Sequence, residues 1–253
     1  MSSGWLRIAH RGASGSAPEL TRAAVGRALE IGVDMIEVDV QVTADGHLVV
    51  LHDETLERTT SGRGAVRETS WADIARLDAG SWFSPEFANE RVLDFAGLLE
   101  LIGGRVRLNA EIKAPPEDWP VLVPAMLAAL EDAGCAATTV ISSFELGALA
   151  AVRQASRTAA LGVLWYLPEL EPAWKVVDEL GAVSLHPWAG ICGPALFGEA
   201  RRRGVDTFVW TVNDVEVIRR LVTEGASGVM TDHPELFAEI LPEILPEVAT
   251  QPS

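Results

Sequence analysis

Runs rich in Val, Ile and Leu recur along this chain at 5–9, 34–40, 107–112, 138–142, 159–164, 181–186, 205–210 and 227–231. Segments with helical spacing separate most of them. Within 20–31, Leu20, Ala24 and Ala28 share a helix face, and Gly32 follows as a stop. Ser142 with Glu145 reads as a capping box before Leu146, Leu149 and Val152. Asn213 with Glu216 reads the same way before Val217, Ile218, Leu221 and Val222, and Gly225 ends that helix. Strands that alternate with helices predict a parallel sheet. Eight such units predict an α/β fold closed into a (β/α)8 TIM barrel.

One segment breaks the alternation. Residues 40–52 hold two apolar runs around Ala44-Asp45-Gly46. A parallel crossover needs a dozen or more residues, whereas Asp-Gly favours a hairpin. Leu48–Leu51 should therefore run back antiparallel along 39–43 and return His52 close to Asp39. The stretch 53–92 is rich in Thr, Ser, Gly and Arg without a strong period, and reads as a small insertion after strand 2. Trp82 and Phe83 are expected to form that lobe's core. Residues 1–242 then make a single domain, and 243–253 read as a frayed tail.

A chain of 253 residues with 48% hydrophobic residues can build one sizeable core. No apolar run of about 18 residues predicts a membrane span. Met1-Ser2-Ser3-Gly4-Trp5 lacks the pattern of a signal peptide, so the expected compartment is cytoplasmic. Cys135 and Cys192 form no metal or redox motif and are expected to be reduced. The formal net charge of −16 argues against nucleic acid and against stable membrane association, since the long-range field repels both. An anionic substrate would need local positive charge, and Arg11, Lys113 and a bound cation are the candidates.

Catalytic groups in such barrels sit where strands end. The unusual residues here fall at those ends: His10, Glu37, Asp39, Glu111, Lys113, His186, Trp210 and Asp232. Side chains two apart on a strand point the same way, so Glu37 shares a face with Asp39, and Glu111 with Lys113. Three carboxylates held together repel one another and call for a cation. All-oxygen ligation selects Mg²⁺, Ca²⁺ or Mn²⁺. His10 and His52 can exchange protons near neutral pH. Gly12 suggests that the strand has ended by Arg11, which would turn that guanidinium and Lys113 toward an oxyanion. His186 either lines the pocket or satisfies a buried hydrogen bond. Trp210 reads as a pocket wall, His47 as solvated beside its turn, and His233 as local capping ahead of Pro234.

These residues resemble the glycerophosphodiester phosphodiesterase family over roughly residues 6–240. The resemblance rests on an ordered set: Ala9-His10-Arg11-Gly12, Ala17-Pro18-Glu19 with Thr21, and Glu37-Val38-Asp39-Val40 with Thr43 and Asp45-Gly46. It continues through Val49-Val50-Leu51-His52-Asp53, Leu56, Arg58-Thr59-Thr60, Asp78-Ala79-Gly80-Ser81-Trp82-Phe83, Glu111-Ile112-Lys113, Val209-Trp210-Thr211-Val212-Asn213 and Thr231-Asp232. The chain departs from the family at Leu20, where Asn is usual, and at Val92-Leu93-Asp94-Phe95, where Ile-Pro-Thr-Leu is common.

The resemblance implies a divalent metal held by Glu37, Asp39 and Glu111, acid–base roles for His10 and His52, and phosphate contacts from Arg11 and Lys113. The implied reaction is hydrolysis of a small-molecule glycerophosphodiester to sn-glycerol 3-phosphate and an alcohol. Cleavage of lysophospholipids is the rival, with Trp82, Phe83, Trp165 and Trp188 as material for an apolar groove. A non-catalytic metal- or phosphodiester-binding barrel is the rival from another class. Gly225 to Gly228 is a weak hint of a sugar-phosphate barrel. Oligomeric state and the identity of the metal stay open.

Overall fold

The computed structural model describes residues 4–244. Its elements are β1 (Leu6–His10), α1 (Arg22–Ile31), β2 (Met35–Val42), β3 (Leu48–Val50), α2 (Trp71–Ile74), α3 (Phe95–Ile102), β4 (Arg107–Ile112), α4 (Trp119–Asp132) and β5 (Thr139–Ser143). They continue as α5 (Leu146–Ala155), β6 (Ala160–Trp165), α6 (Glu171–Leu180), β7 (Ser184–Pro187), α7 (Pro194–Arg203), β8 (Asp206–Val209), α8 (Val215–Glu224), β9 (Gly228–Thr231) and α9 (Phe237–Ile244). The expected tail from 243 starts inside α9, and its remainder lies outside the described residues.

Parallel pairing runs from β1 through β2, β4, β5, β6, β7, β8 and β9, and β9 pairs with β1 again. Among the described residues this is a closed barrel of eight parallel strands with helices between them. Alternation along each strand sorts the side chains. Ile8, Met35, Val140, Phe208 and Met230 cluster together, on the same strand faces as His10, Glu37 and Asp39. The opposite faces, with Ala9, Ile36, Val38 and Val40, join the helices in the main core. Register then fixes the mouth: His10 lies opposite Glu37, and Asp39 opposite Glu111.

Helix ends follow local chemistry, with two corrections. Thr21 caps α1 through its side-chain oxygen, and Gly32 closes it at φ 78°. Ser142 does not cap α5. It is buried in β5, and Ser143 Oγ instead accepts the Glu145 N–H. Asn213 does not cap α8 either. Asp214 takes the N–H groups of Glu216 and Val217, because the Asn213 amide is committed to Thr231 and Asp232.

β3 pairs antiparallel with β2, with Val40 facing Val50 and Val42 facing Leu48. Gly46 sits at φ 79°, where a Cβ would be strained. Leu51 donates its N–H to the Asp39 carbonyl at 3.1 Å, which carries the chain to His52 at the mouth. The segment beyond has its own apolar cluster of Val49, Leu51, Leu56, Val66, Ile74, Ala79 and Val92. Trp82 and Phe83 are not in it. Trp82 is 40% exposed, and Phe83 packs edge-on between Trp82 and Phe87. Small aliphatic side chains fill so thin a lobe, and bulky rings are left on its surface.

Candidate active site

β1 stops at His10 because the next two residues take left-handed conformations, Arg11 at φ 58° and Gly12 at φ 77°. A Cβ on Gly12 would lie 2.7 Å from the Ala24 carbonyl carbon, so glycine is demanded by space as well as by φ. The turn swings the Arg11 guanidinium back over the mouth. Its Nη1 meets Glu19 at 3.0 Å and its Nε lies 3.1 Å from Asp39 Oδ2. The Arg11 N–H donates to both the carbonyl and Oε2 of Glu37 at 3.0 Å.

Glu37, Asp39 and Glu111 each offer an oxygen within 4.8 Å of the others, and all three are buried. Burial pushes the Glu37 carboxyl well above its usual range, and its two acidic neighbours add to this. Glu111 is pushed up to about 7 by burial and by Asp39, partly offset by Lys113. Glu37 Oε1 and both oxygens of Asp39 accept no hydrogen bond. Buried, converging carboxylate oxygens that accept no hydrogen bond fit a hard divalent cation.

The two histidines flank this trio and share a construction. His10 Nδ1 lies 2.7 Å from Asp232 Oδ1, and its Nε2 is 3.8 Å from Glu37 Oε2. His52 Nδ1 lies 2.6 Å from Asp53 Oδ1. With Nδ1 tied to a carboxylate, each ring leaves Nε2 to exchange a proton. Burial lowers the pKa of His52, and the charges of Arg11 and Lys113 act in the same direction, outweighing the pull of Asp39 and Asp53. Hydrogen bonds from Arg58, with a smaller one from His52, hold Asp53 below the usual carboxylate range. Burial opposes ionisation of Asp232, yet its bonds to His10, Asn213 and Ser14 hold it below that range too.

Arg58 extends the construction. Its Nε donates to Asp53 Oδ2 at 2.6 Å, and two other donors reach Glu19 at 2.8 Å. Glu19 also holds Arg11, so a continuous chain of ion pairs joins His52 to Asp39. Lys113 Nζ sits 2.7 Å from Glu111, 3.7 Å from Asp39, and 5.5 Å from the centre of the Phe144 ring.

These groups line a cavity of about 130 Å³. His10, Arg11, Glu37, His52, Asn109, Glu111 and Lys113 make its polar side, and Phe144, Leu164, Trp210 and Met230 its apolar side. Trp210 stands in the wall, with Nε1 donating to the His186 carbonyl at 2.8 Å. The His186 ring is not in the wall. It is fully buried, bonded to Ser184 Oγ at 2.8 Å, and pushed by burial down to about 3. Its bulk is accepted because β6 carries Gly162 beside it, where a Cβ would fall 2.5 Å from the ring.

His47 is solvated as expected, its side chain 40% exposed, and it also stacks on Trp71 at 4.8 Å with its Nε2 3.1 Å from Asp94. His233 differs from expectation: it makes no side-chain cap and pairs with Glu235 at 3.2 Å. Sequence reasoning singled out neither Asp53, Asp232 and Arg58 as orienting groups nor Asn109 and Phe144 as lining. Asn109 had a local signal, since it lies two residues before Glu111 on one strand face.

A family model for the glycerophosphoryl diester phosphodiesterase family matches residues 10–236. A glycerophosphodiester phosphodiesterase of Caldanaerobacter subterraneus is 39% identical over 93% of this chain and 97% of its own length. One from Bacillus subtilis is 31% identical, covering 93% and 86%. Among solved structures, an Oleispira antarctica phosphodiesterase in complex with the product sn-glycerol-3-phosphate superposes with a TM-score of 0.86 at 27% identity, covering 93% and 96%. A glycerophosphodiester phosphodiesterase from Agrobacterium tumefaciens gives 0.81 at 31%, covering 92% and 98%. With its barrel, its acidic trio and these relatives, the chain belongs to the glycerophosphoryl diester phosphodiesterase family.

Proposed function

We propose that this protein hydrolyses glycerophosphodiesters to sn-glycerol 3-phosphate and an alcohol, with a divalent cation held by Glu37, Asp39 and Glu111. The observation that carries the reading is the pair of carboxylate-oriented histidines on either side of that trio. The product named with the Oleispira structure supports the same substrate class.

A bound Mg²⁺, Ca²⁺ or Mn²⁺ would supply positive charge to a non-bridging phosphate oxygen. Arg11 and Lys113, which line the same cavity, would add charge to the phosphate as the transition state develops. One imidazole Nε2 takes the proton of the attacking hydroxyl, and the other returns a proton to the leaving alcohol oxygen. The attacking hydroxyl belongs either to water or to the substrate's own glycerol, and in the second case water then opens the cyclic phosphate so formed, with the two histidines exchanging roles. Asp232 and Asp53 hold the ring orientations throughout. Asn109, buried with Oδ1 unpaired at the cavity wall, is placed to accept a hydrogen bond from a substrate hydroxyl.

The polar groups that line the cavity support a small diester over a lysophospholipid, whose acyl chain would need a long apolar groove on the glycerol side. No described helix is long and apolar enough to cross a membrane. The deciding assay measures sn-glycerol 3-phosphate release from glycerophosphocholine and from lysophosphatidylcholine, with each metal added back to stripped enzyme. Faster cleavage of the lysolipid would transfer the assignment to that class, and no release from either would sink it.

A further inference from the structure

Three of the six large apolar side chains exposed among the described residues gather at the mouth. Tyr166, Leu167 and Trp188 are 57%, 42% and 47% exposed, all in the loops that leave β6 and β7 at their C-terminal ends. Tyr166 extends the apolar wall of the cavity outward through Phe144. Phe144 packs against Trp210 at 5.3 Å and against Tyr166 at 6.0 Å. Trp188 pairs by backbone with Trp210, and its N–H donates to the Trp165 carbonyl at 2.8 Å. Its indole lies over Gly190, where a Cβ would fall 2.3 Å from the ring. Trp188 is thus held in place while nearly half of it faces solvent.

The rim loops themselves are acidic by sequence, with Arg220 of α8 near enough to act on Cys192 in one of them. Loops 144–145, 166–170, 188–193 and 210–214 contain no Lys or Arg, and they carry Glu145, Glu169 and Asp214. The basic groups of the site, Arg11, Arg58 and Lys113, all come from the other half of the chain. Lys113 Nζ lies 5.5 Å from the centre of the Phe144 ring on the cavity side, where its charge is proposed to serve the phosphate rather than the rim. The polar side of the cavity carries the groups proposed for the phosphate, and its apolar side, Phe144 and Trp210, leads out to the rim, where the second alcohol would lie. Aromatic faces with negative charge around them attract cations, and quaternary ammonium groups above others.

We propose that the rim formed by Tyr166 and Trp188, backed by Phe144 and Trp210, binds a cationic alcohol, so that the enzyme selects diesters whose leaving group carries an ammonium. This rests on the diesterase reading and adds to it a preference for one class of alcohol. Anionic alcohols would meet carboxylates that repel them, and polyols, though able to donate hydroxyls to those carboxylates, would gain no cation–π contact.

The test uses metal-loaded enzyme and compares kcat/KM for glycerophosphocholine, glycerophosphoethanolamine, glycerophosphoglycerol and glycerophosphoinositol. The choline diester should lead the two polyol diesters by about tenfold, the usual reach of a cation–π contact. Trp188→Ala and Tyr166→Ala should each lower the choline value about two- to fivefold, the reach of a half-exposed cation–π contact, while glycerophosphoglycerol is unchanged. Trp188→Leu, which keeps apolar area without a π face, should behave like the Ala variant. Equal rates on all four diesters, or a loss shared by all of them, would overturn the proposal. A Leu variant with wild-type selectivity would overturn it as well. If no diester is cleaved, the activity reading fails on its own. The rim is then judged by choline titrated against tryptophan fluorescence, where quenching that disappears in Trp188→Ala supports it and no response overturns it.

Discussion

Leu20 donates its backbone N–H to the carbonyl of Arg11 at 3.1 Å, and among the described residues these two are the non-glycine positions with positive φ, 60° and 58°. The loop after β1 is therefore strained at both ends of one hydrogen bond. At Arg11 the strain serves the site by aiming the guanidinium across the acids. At Leu20 it is tolerated because the side chain is 2% exposed in the core.

The two effects at Leu20 can be weighed. Asn, usual in the family here, relieves a left-handed backbone worth about 1 kcal/mol, but Leu burial is worth about 2 kcal/mol. Leu20→Asn should thus lose about 1 kcal/mol of stability in a denaturant titration. A more stable variant would show that backbone strain dominates.

Arg58 touches no part of the cavity, yet it holds Asp53, which orients His52. Arg58→Ala should lower kcat about tenfold, in line with the loss of an orienting group, with little change in melting temperature because the side chain is 42% exposed. Arg58→Lys keeps the charge without the fork and should fall between. Wild-type kcat in the Ala variant would remove Arg58 from the positioning chain.

His10→Ala and His52→Ala should each reduce turnover about 10²- to 10⁴-fold in folded protein, as expected for a general acid or base. His47→Ala, on the hairpin and bound to Asp94, is the control and should stay near wild type. A folded site variant with near-normal turnover would mean that the ring is not the proton carrier.

Chelation should abolish turnover, and Mg²⁺, Ca²⁺ or Mn²⁺ should restore it. The same ion should raise the melting temperature, because only the folded chain assembles the trio and a ligand of the folded state stabilises it by mass action. Glu37→Gln should weaken both responses. Full activity in metal-free enzyme, with no thermal shift on adding metal, contradicts the assignment.

His186 sets a pH dependence of stability. Its ordinary value of 6.5 is pushed by burial down to about 3, so the folded state keeps it neutral. As pH falls below about 6.5 the unfolded chain takes up a proton that the folded chain refuses. The stability present above 6.5 is therefore lost progressively toward pH 3, with a size on the order of a few kcal/mol. His186→Asn should flatten that acid loss in denaturant titrations at pH 7, 5 and 4. Parallel curves for the two proteins would place the acid sensitivity elsewhere.

The hairpin was legible because an Asp-Gly turn and two apolar runs are local facts, and β3 pairs with β2 in the expected direction. The two expected capping boxes failed for the opposite reason. Their spacing is local, but Ser142 was claimed by a strand and Asn213 by Asp232, contacts that spacing alone does not report. The lobe's core was misread at Trp82 and Phe83 because size and hydrophobicity were weighed without knowing how little volume lay beneath them.

The sequence by itself determined the barrel, the strand ends and the trio of acids. Period-two alternation puts Glu37 beside Asp39, and an apolar strand pattern broken by charge marks a mouth. Tertiary structure decided which groups orient the chemistry. Asp232 meets His10 across 222 positions because β9 closes onto β1. Arg58 reaches Glu19 across 39 because the inserted lobe folds back over the loop after β1. Both contacts depend on the closure of the sheet and the path of an insertion, and neither leaves a periodic signal in the chain.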